Sequence, residues 1–353
     1  MKVLRKIRVA SPSIPLVLIL FLGVVSAGPA GAATRGTRTV IAIPGGSAGI
    51  GLDDMGFVPE LGKILVPAGR TGALALIDPK SNEVTLIPKV AAVSPSAPRG
   101  PRGRHRGGGT TSAVYVDGRF VASDHGGPAL VVVGAKSHKV LGKAPLKSGP
   151  DYVRSVPSRH EVWVTEPRAE QIEILAYSPA GPTYLTSKDT ITVPGGPESL
   201  VVDEGRGRAY ANLWKDETVV IDLATLKVAQ HWKNGCAGSR GLAEDPVHGL
   251  LFVGCSEGGV SVLALDSDGR VLAHAAAGTG VDIVAFNAAY RRLFVPGARS
   301  ATLTVFSVST NGKLTPEGTY ATARGGHCVA TDPAGDAFVC DPRTGTIIKI
   351  SPK

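Results

Sequence analysis

An all-β ring of seven four-stranded sheets, a seven-bladed β-propeller, is the fold class the sequence predicts, and three observations predict it. First, a Gly is followed seven residues later by Asp or a stand-in, and seven residues after that by a large residue of an apolar strand: Gly196, Asp203 and Tyr210 set the phase. The same spacing joins Gly51, Val58 and Leu65; Gly149, Val156 and Trp163; Gly238, Asp245 and Phe252; and Gly280, Asn287 and Phe294. Gly325, Asp332 and Phe338 run one residue shorter, and a looser unit is centred on Thr110, Asp117 and Phe120. Second, these seven units fill about 315 residues at a period near 45, the range in which one repeat is one blade of four strands. Third, 45 Gly and 26 Pro recur between short runs of Val, Ile, Leu and Thr, so short strands alternate with tight turns. No long stretch carries apolar residues at helical spacing.

Taken in order, the chain opens on a candidate secretory leader. Lys2, Arg5, Lys6 and Arg8 precede an apolar run from Leu16 to Val25, and the small residues Ala30-Gly31-Ala32 follow. Cleavage is expected after Ala32, with Ala27 as the alternative, and no later segment approaches the roughly 20 apolar residues of a membrane span. Without residues 1–33 the chain has 34 Lys and Arg against 29 Asp and Glu, a net +5. Four of those Arg (Arg99, Arg102, Arg104, Arg106) sit in a Pro/Gly-rich stretch, residues 94–109, that reads as a flexible insertion between the first two blades. The folded body is then nearly neutral, which argues against a nucleic-acid partner, since that needs a basic face spread over structured elements.

Thr39 to Gly46, TVIAIPGG, matches Thr190 to Gly196, TITVPGG, the fourth strand of the third unit. The seventh unit reaches only three strands by Lys353, so the strand near Thr39 is expected to complete it and close the ring, leaving no open sheet edge. Residues 37–353 are thus expected to form one domain and to act as a monomer. Within each unit a first strand ends near the Asp, a turn and an apolar second strand follow, then a third strand and a more polar fourth. In the fourth unit these are Leu200 to Val202, Ala209 to Asn212, Thr218 to Ile221 and Val228 to Trp232. The Asp of each turn is a structural residue that accepts backbone N–H bonds, with Pro246 and Pro333 presetting φ beside two of them.

Four cysteines allow three pairings. In the last unit a turn from Asp332 to Asp336 places Thr331 opposite Ala337 and therefore Cys328 opposite Cys340; Cys236 and Cys255 hold the corresponding ends of the fifth. Two hairpin disulfides are expected, Cys236 with Cys255 and Cys328 with Cys340, in a secreted or periplasmic protein. No close Cys-x-x-Cys spacing suggests zinc.

The phrases DPVHGLLFVGCSEGGVSVLAL and DPAGDAFVCDPRTGTIIKI resemble the YVTN or YncE-like family of secreted propellers, within the wider WD40/YVTN-like superfamily. LTVFSVSTNGKLTPEGTYAT, Leu303 to Thr322, is similar to the 6-phosphogluconolactonase type of propeller. The resemblance covers roughly residues 37–353. It implies the seven-bladed architecture, and on the lactonase side a Gly-Pro-Arg-His phrase that opens strands lining the central cleft. Here Gly238-Ser239-Arg240-Gly241 keeps the Arg without the His, and Gly325-Gly326-His327 has His where the Arg would fall.

The position two after each repeat Gly carries the chemistry. It holds Asp53, Ser112, Asp151, Glu198, Arg240, Asp282 and His327, where the chain enters the strand that lines the axis, so the seven should ring one mouth of the channel. Asp151 and Glu198 are expected as neighbours, as is Asp282 with Arg240 and His327. Such a ring could bind a polar ligand or a divalent cation. The expected function is an exported propeller binding a ligand or protein partner there without catalysis. The alternative is a lactonase or lyase-like enzyme in which His327 or a carboxylate is general base and Arg240 holds an anionic group. Trp163, Trp214 and Trp232 read as blade packing or outer-strand surface, and the remaining histidines as surface residues in turns or on outer strands.

Overall fold

The computed structural model describes residues 36–93, 108–179 and 184–353. The candidate leader and the four Arg of the insertion lie outside them. The described chain forms seven antiparallel four-stranded sheets: blade 1 over residues 56–87, blade 2 over 113–145, blade 3 over 153–192, blade 4 over 198–232, blade 5 over 239–275, blade 6 over 285–321, and blade 7 over 329–351. Each of blades 1 to 6 is a simple meander in chain order, innermost strand first. Neighbouring innermost strands touch from blade 2 round through blade 7 to blade 1, and the second strand of blade 1 meets the innermost strand of blade 2. The only helical elements described are single 3-10 turns at Pro157–Arg159 and Pro167–Ala169, each begun by a proline.

Blade 7 takes its fourth strand from the other end of the chain. Thr37–Ala42 pairs antiparallel with Thr346–Ser351, Thr37 opposite Ser351 and Ala42 opposite Thr346, which is the closure the repeat match predicted.

The core lies between blades. The large residues that set the repeat phase (Leu65, Phe120, Trp163, Tyr210, Phe252, Phe294, Phe338) are all buried on second strands, where each packs against the facing blade. Burial of each contributes about 1.5–3 kcal/mol. Outermost strands are exposed, and in blades 2 to 6 a register shift interrupts their pairing. Such bulges blunt an edge that could otherwise pair with another chain.

The turn acids have the local role expected of them. Asp332 Oδ1 accepts the Ala334 and Asp336 N–H groups at 3.0 and 2.9 Å, and Asn287 Oδ1 accepts Tyr290 N–H at 3.0 Å. Asp203 and Asp245 add ion pairs with Arg206 and Arg291. In blade 2 the turn tightens to Asp117-Gly118, both at positive φ (46° and 76°), the conformation of a two-residue hairpin.

Both disulfides form as paired above, Cys236 with Cys255 and Cys328 with Cys340, and each closes a short loop worth about 2–4 kcal/mol. They suggest an oxidising, extracellular environment. Among the described residues no helix is long and apolar enough to cross a membrane.

The insertion is bounded more tightly than the sequence suggests. Gly108 and Gly109 are buried, Val93 bridges Gly108, and the Gly109 N–H donates to Ala92 O at 2.7 Å. Gly109 has φ of 97°, and a Cβ there would lie 2.1 Å from the Gly69 carbonyl oxygen, so only glycine fits.

Candidate functional site

The mouth of the channel is built from backbone before side chains. Where each chain segment enters its innermost strand, it bonds to the neighbouring blade: Asp54 N–H to Thr111 O at 2.9 Å, Gly241 N–H to Asp282 O at 2.9 Å, and Ile283 N–H to His327 O at 3.0 Å. Two hydroxyls serve the same purpose, Ser112 Oγ accepting Val153 N–H at 2.9 Å and Ser199 Oγ accepting Leu242 N–H at 3.0 Å. Ser199 adopts a φ of 65°, left-handed for a residue with a side chain, next to Glu198 at a break in strand register. These bonds tie the entry segments of blade 1 to 2, 2 to 3, 4 to 5, 5 to 6 and 6 to 7, and every entry side chain except Ser112 acts on a neighbour around one space.

Four carboxylates share it. Asp53, Asp151 and Glu198 each have their carboxyl pKa raised, first by burial and then by the charges of their neighbours. Asp151 is pushed up to about 7, with Asp282 and Asp54 as the next causes and Arg154 opposing. Asp53 and Glu198 lie well above the ordinary carboxylate range; for Asp53 the charges are those of Asp282, Asp151, Glu198 and Asp54. Tyr152, buried in the same wall, is pushed upward by burial and by the same acids.

His327 and Asp282 lie with Asp53 on the arc of blades 6, 7 and 1. One ligand atom from each falls within 4.8 Å of the others, and His327 Nε2 is 3.7 Å from Asp53 Oδ1. The other ring nitrogen, Nδ1, is 2.7 Å from the Gly325 carbonyl oxygen. A carbonyl can only accept, so Nδ1 carries the hydrogen, and whenever the ring carries a single proton its lone pair lies at Nε2.

One of the seven predicted residues is placed otherwise than expected. Ser112 is buried in the wall, its Oγ donating to Asp54 Oδ2 at 2.7 Å, so it braces blade 1 to blades 2 and 3 and does not face the opening. Arg240 serves Glu198 on blade 4, where its charge lowers the carboxyl's pKa, and its guanidinium lies 6.0 Å from the Trp214 ring centre.

Four residues that the spacing argument did not select complete the site. Arg154 spans the channel: its guanidinium bonds Asp54 of blade 1, with Nη2 3.3 Å from Oδ1, while Nε donates to Leu200 O of blade 4 at 2.9 Å. Asp54 and Tyr152 join it in the wall. Trp214 corrects the packing or outer-strand assignment: it stands in the turn between the second and third strands of blade 4, 41% exposed, with its indole beside Glu198, whose carboxyl pKa it helps to hold down. Trp163 and Trp232 are buried as expected.

On the innermost strand of blade 5, Glu244 has one carboxylate oxygen, Oε2, shut away without a partner among the described residues, and burial followed by the Asp203 charge pushes its pKa up to about 7. An acid whose folded pKa is raised binds protons more readily folded than unfolded, so its contribution to stability is present below about 4.5 and is lost as pH rises through about 7. Glu244→Gln is therefore expected to raise the melting midpoint at pH 8 relative to the parent and to leave it unchanged at pH 4; thermal unfolding of both at the two pH values checks this.

A separate cleft of 440 Å³ between blades 1 and 2, walled partly by Val90, Val93 and Val131, contains Asp124 and Lys143. That pair is already joined at 2.8 Å, and Asp124 also accepts the Gly126 N–H at 2.8 Å. The mouth is thus the richer concentration of unspent chemistry.

No family model matches the chain, and no curated protein matches its sequence. Solved structures match its fold. A chain of a mitotic checkpoint complex superposes with a TM-score of 0.72 at 13% identity, covering 99% of this chain and 98% of that one. A streptogramin B lyase gives 0.67 at 12% identity, covering 90% and 98%. A putative 6-phosphogluconolactonase from Bacteroides uniformis gives 0.62 at 12% identity, covering 76% and 85%. At such identities the likeness is to the propeller frame, which carries enzymes and members of protein complexes alike.

Proposed function

We propose that this is an exported, YncE-like propeller that binds a small polar ligand, cationic or polyhydroxylic, at the channel mouth, and that it does so without catalysis. One observation carries the reading: five carboxylates (Asp53, Asp54, Asp151, Glu198, Asp282) act on one another around a single opening, with two guanidiniums, Arg154 and Arg240, opposing them. Arg154 is committed to Asp54 and to the Leu200 carbonyl, so Asp151, Glu198 and Asp282 keep acceptor capacity for donors brought from outside. Trp214, exposed beside Glu198, supplies an aromatic face for the apolar or cationic side of such a ligand.

The test is a thermal-shift panel of polyamines, amino sugars and neutral sugars on metal-free protein, repeated on Asp151→Asn with Glu198→Gln. At least one chemical class should raise the parent's melting midpoint, since a ligand that binds only the folded state stabilises it by mass action. The double variant should lose that rise. A panel that leaves the parent unmoved would overturn the reading.

A catalytic reading has one observation in its favour, the bare Nε2 of His327 beside Asp53, which is the arrangement of a general base. Turnover of a lactone by the parent, abolished in His327→Ala, would replace binding by catalysis as the function of the mouth.

A further inference from the structure

We propose that Asp53, Asp282 and His327 form a site for one first-row divalent metal ion, Zn²⁺ or Mn²⁺, on the arc of the mouth contributed by blades 6, 7 and 1. This deepens the ligand reading given above, since it names an occupant of the same mouth, but it stands on three side chains of its own.

The three ligand atoms come from three successive blades and lie within 4.8 Å of one another, close enough for one ion to touch all of them. The imidazole is preset for the task. Its Nδ1 hydrogen is held by the Gly325 carbonyl at 2.7 Å, which fixes the ring and leaves Nε2 as donor, the second-shell arrangement usual for metal-bound histidine. Asp282 supplies an independent sign: its Oδ1 is closed off from solvent and accepts no hydrogen bond. A buried acceptor without a partner is rare in a native fold and points to a group that binds there. Of the described guanidiniums at the mouth, Arg154 is bonded to Asp54 and Arg240 acts on Glu198.

The donor set decides the class of ion. Two carboxylates and an imidazole suit Zn²⁺ or Mn²⁺ better than Ca²⁺ or Mg²⁺, which favour all-oxygen shells. Three protein ligands leave at least one coordination position turned toward the channel, where water or a ligand oxygen would complete the shell.

The experiment uses untagged full-length protein, exhaustively chelated, then titrated with ZnCl₂, MnCl₂ or MgCl₂ by calorimetry, with bound metal counted by elemental mass spectrometry. One Zn²⁺ or Mn²⁺ per chain is expected, with Mg²⁺ much weaker. At a hundredfold excess over Kd the melting midpoint should rise by about 5 °C. Asp282→Asn and His327→Gln should each weaken binding by at least about a hundredfold, while Glu60→Gln, in an exposed turn of blade 1 away from the mouth, keeps one ion per chain, and thermal unfolding of every variant in chelator reports that the fold is intact. Binding no tighter than about 100 µM for both Zn²⁺ and Mn²⁺, or variants at Asp282 and His327 that bind as the parent does, would overturn the site. Because the organic panel is run on metal-free protein, a panel ligand that binds where metal does not leaves the ligand reading standing and this inference refuted.

Discussion

Removing Thr37 to Pro44 is expected to cost the protein its solubility and about 5 kcal/mol or more of stability. The segment supplies the whole fourth strand of blade 7, and Ile41 and Ile43 within it are 4% and 3% exposed. Truncating a buried Ile to Ala alone costs about 2–5 kcal/mol, and here two such side chains vanish together with the backbone that pairs them. The strand left behind, Thr346–Ser351, has Ile347, Ile348 and Ile350 buried and would present its open side to other chains. Size-exclusion chromatography and thermal unfolding read the outcome: a truncated protein that aggregates or melts far below the parent, and that is rescued by adding a synthetic peptide of residues 37–44. A truncated chain as soluble and stable as the parent would mean that the ring does not depend on this strand.

The second large effect is expected at Arg154. Its guanidinium ties blade 1 to blade 4 across the axis, and its partner Asp54 has a side chain only 11% exposed. Substituting one member of a buried ion pair leaves the other charge uncompensated, at about 3–5 kcal/mol. Arg154→Ala, measured in chelator so that no ion takes over its charge, should melt roughly 5–10 °C below the parent. Arg154→Met with Asp54→Asn should recover most of the loss, because the second substitution takes away the stranded carboxylate. A single variant within a degree of the parent would show that a proton on the acids does the work assigned to the arginine.

The same pair shows how far the site could be read before the fold was known. The repeat phase was legible because every blade needs the same turn, the same inter-blade side chain and the same tight entry, and physical need writes itself as a period. The seven entry residues followed from that phase, and the mouth gathers six of them, while Ser112 is turned into the wall. Asp54 and Arg154 escaped because they lie off the entry position, at three and five residues after their repeat glycines. At the Asp54 position the other blades carry Ala113, Tyr152, Ser199, Gly241, Ile283 and Cys328; at the Arg154 position they carry Gly56, Tyr115, Val201, Ala243, Ala285 and Ala330. Each is therefore the one ionisable carboxylate or guanidinium in its column, and those two exceptions pair with each other. Asking each column of the repeat which residue breaks it would have found them. What no column could show is burial: whether Asp151 titrates near 4 or near 7 depends on how deeply the mouth is walled and on which charges face it across the ring. Trp214 was missed for a related reason, since it occupies a turn where the period constrains little and only the neighbouring blade decides what it touches.

The pairing of Thr37–Ala42 with Thr346–Ser351 also sets a clock on biogenesis. Blades 1 to 6 consist of consecutive strands and can form as their residues emerge, since each closes only local contacts. Blade 7 cannot: its edge strand is among the first residues of the described chain to appear and must wait, unpaired, for more than 300 residues until its partner arrives. Through that interval the growing protein is an open arc with an exposed strand at each end, the kind of intermediate that joins a neighbour instead of itself. Emergence of Thr346–Ser351 is therefore the step at which the ring first becomes a ring, and holding the early strand apart until then is a natural task for a folding factor.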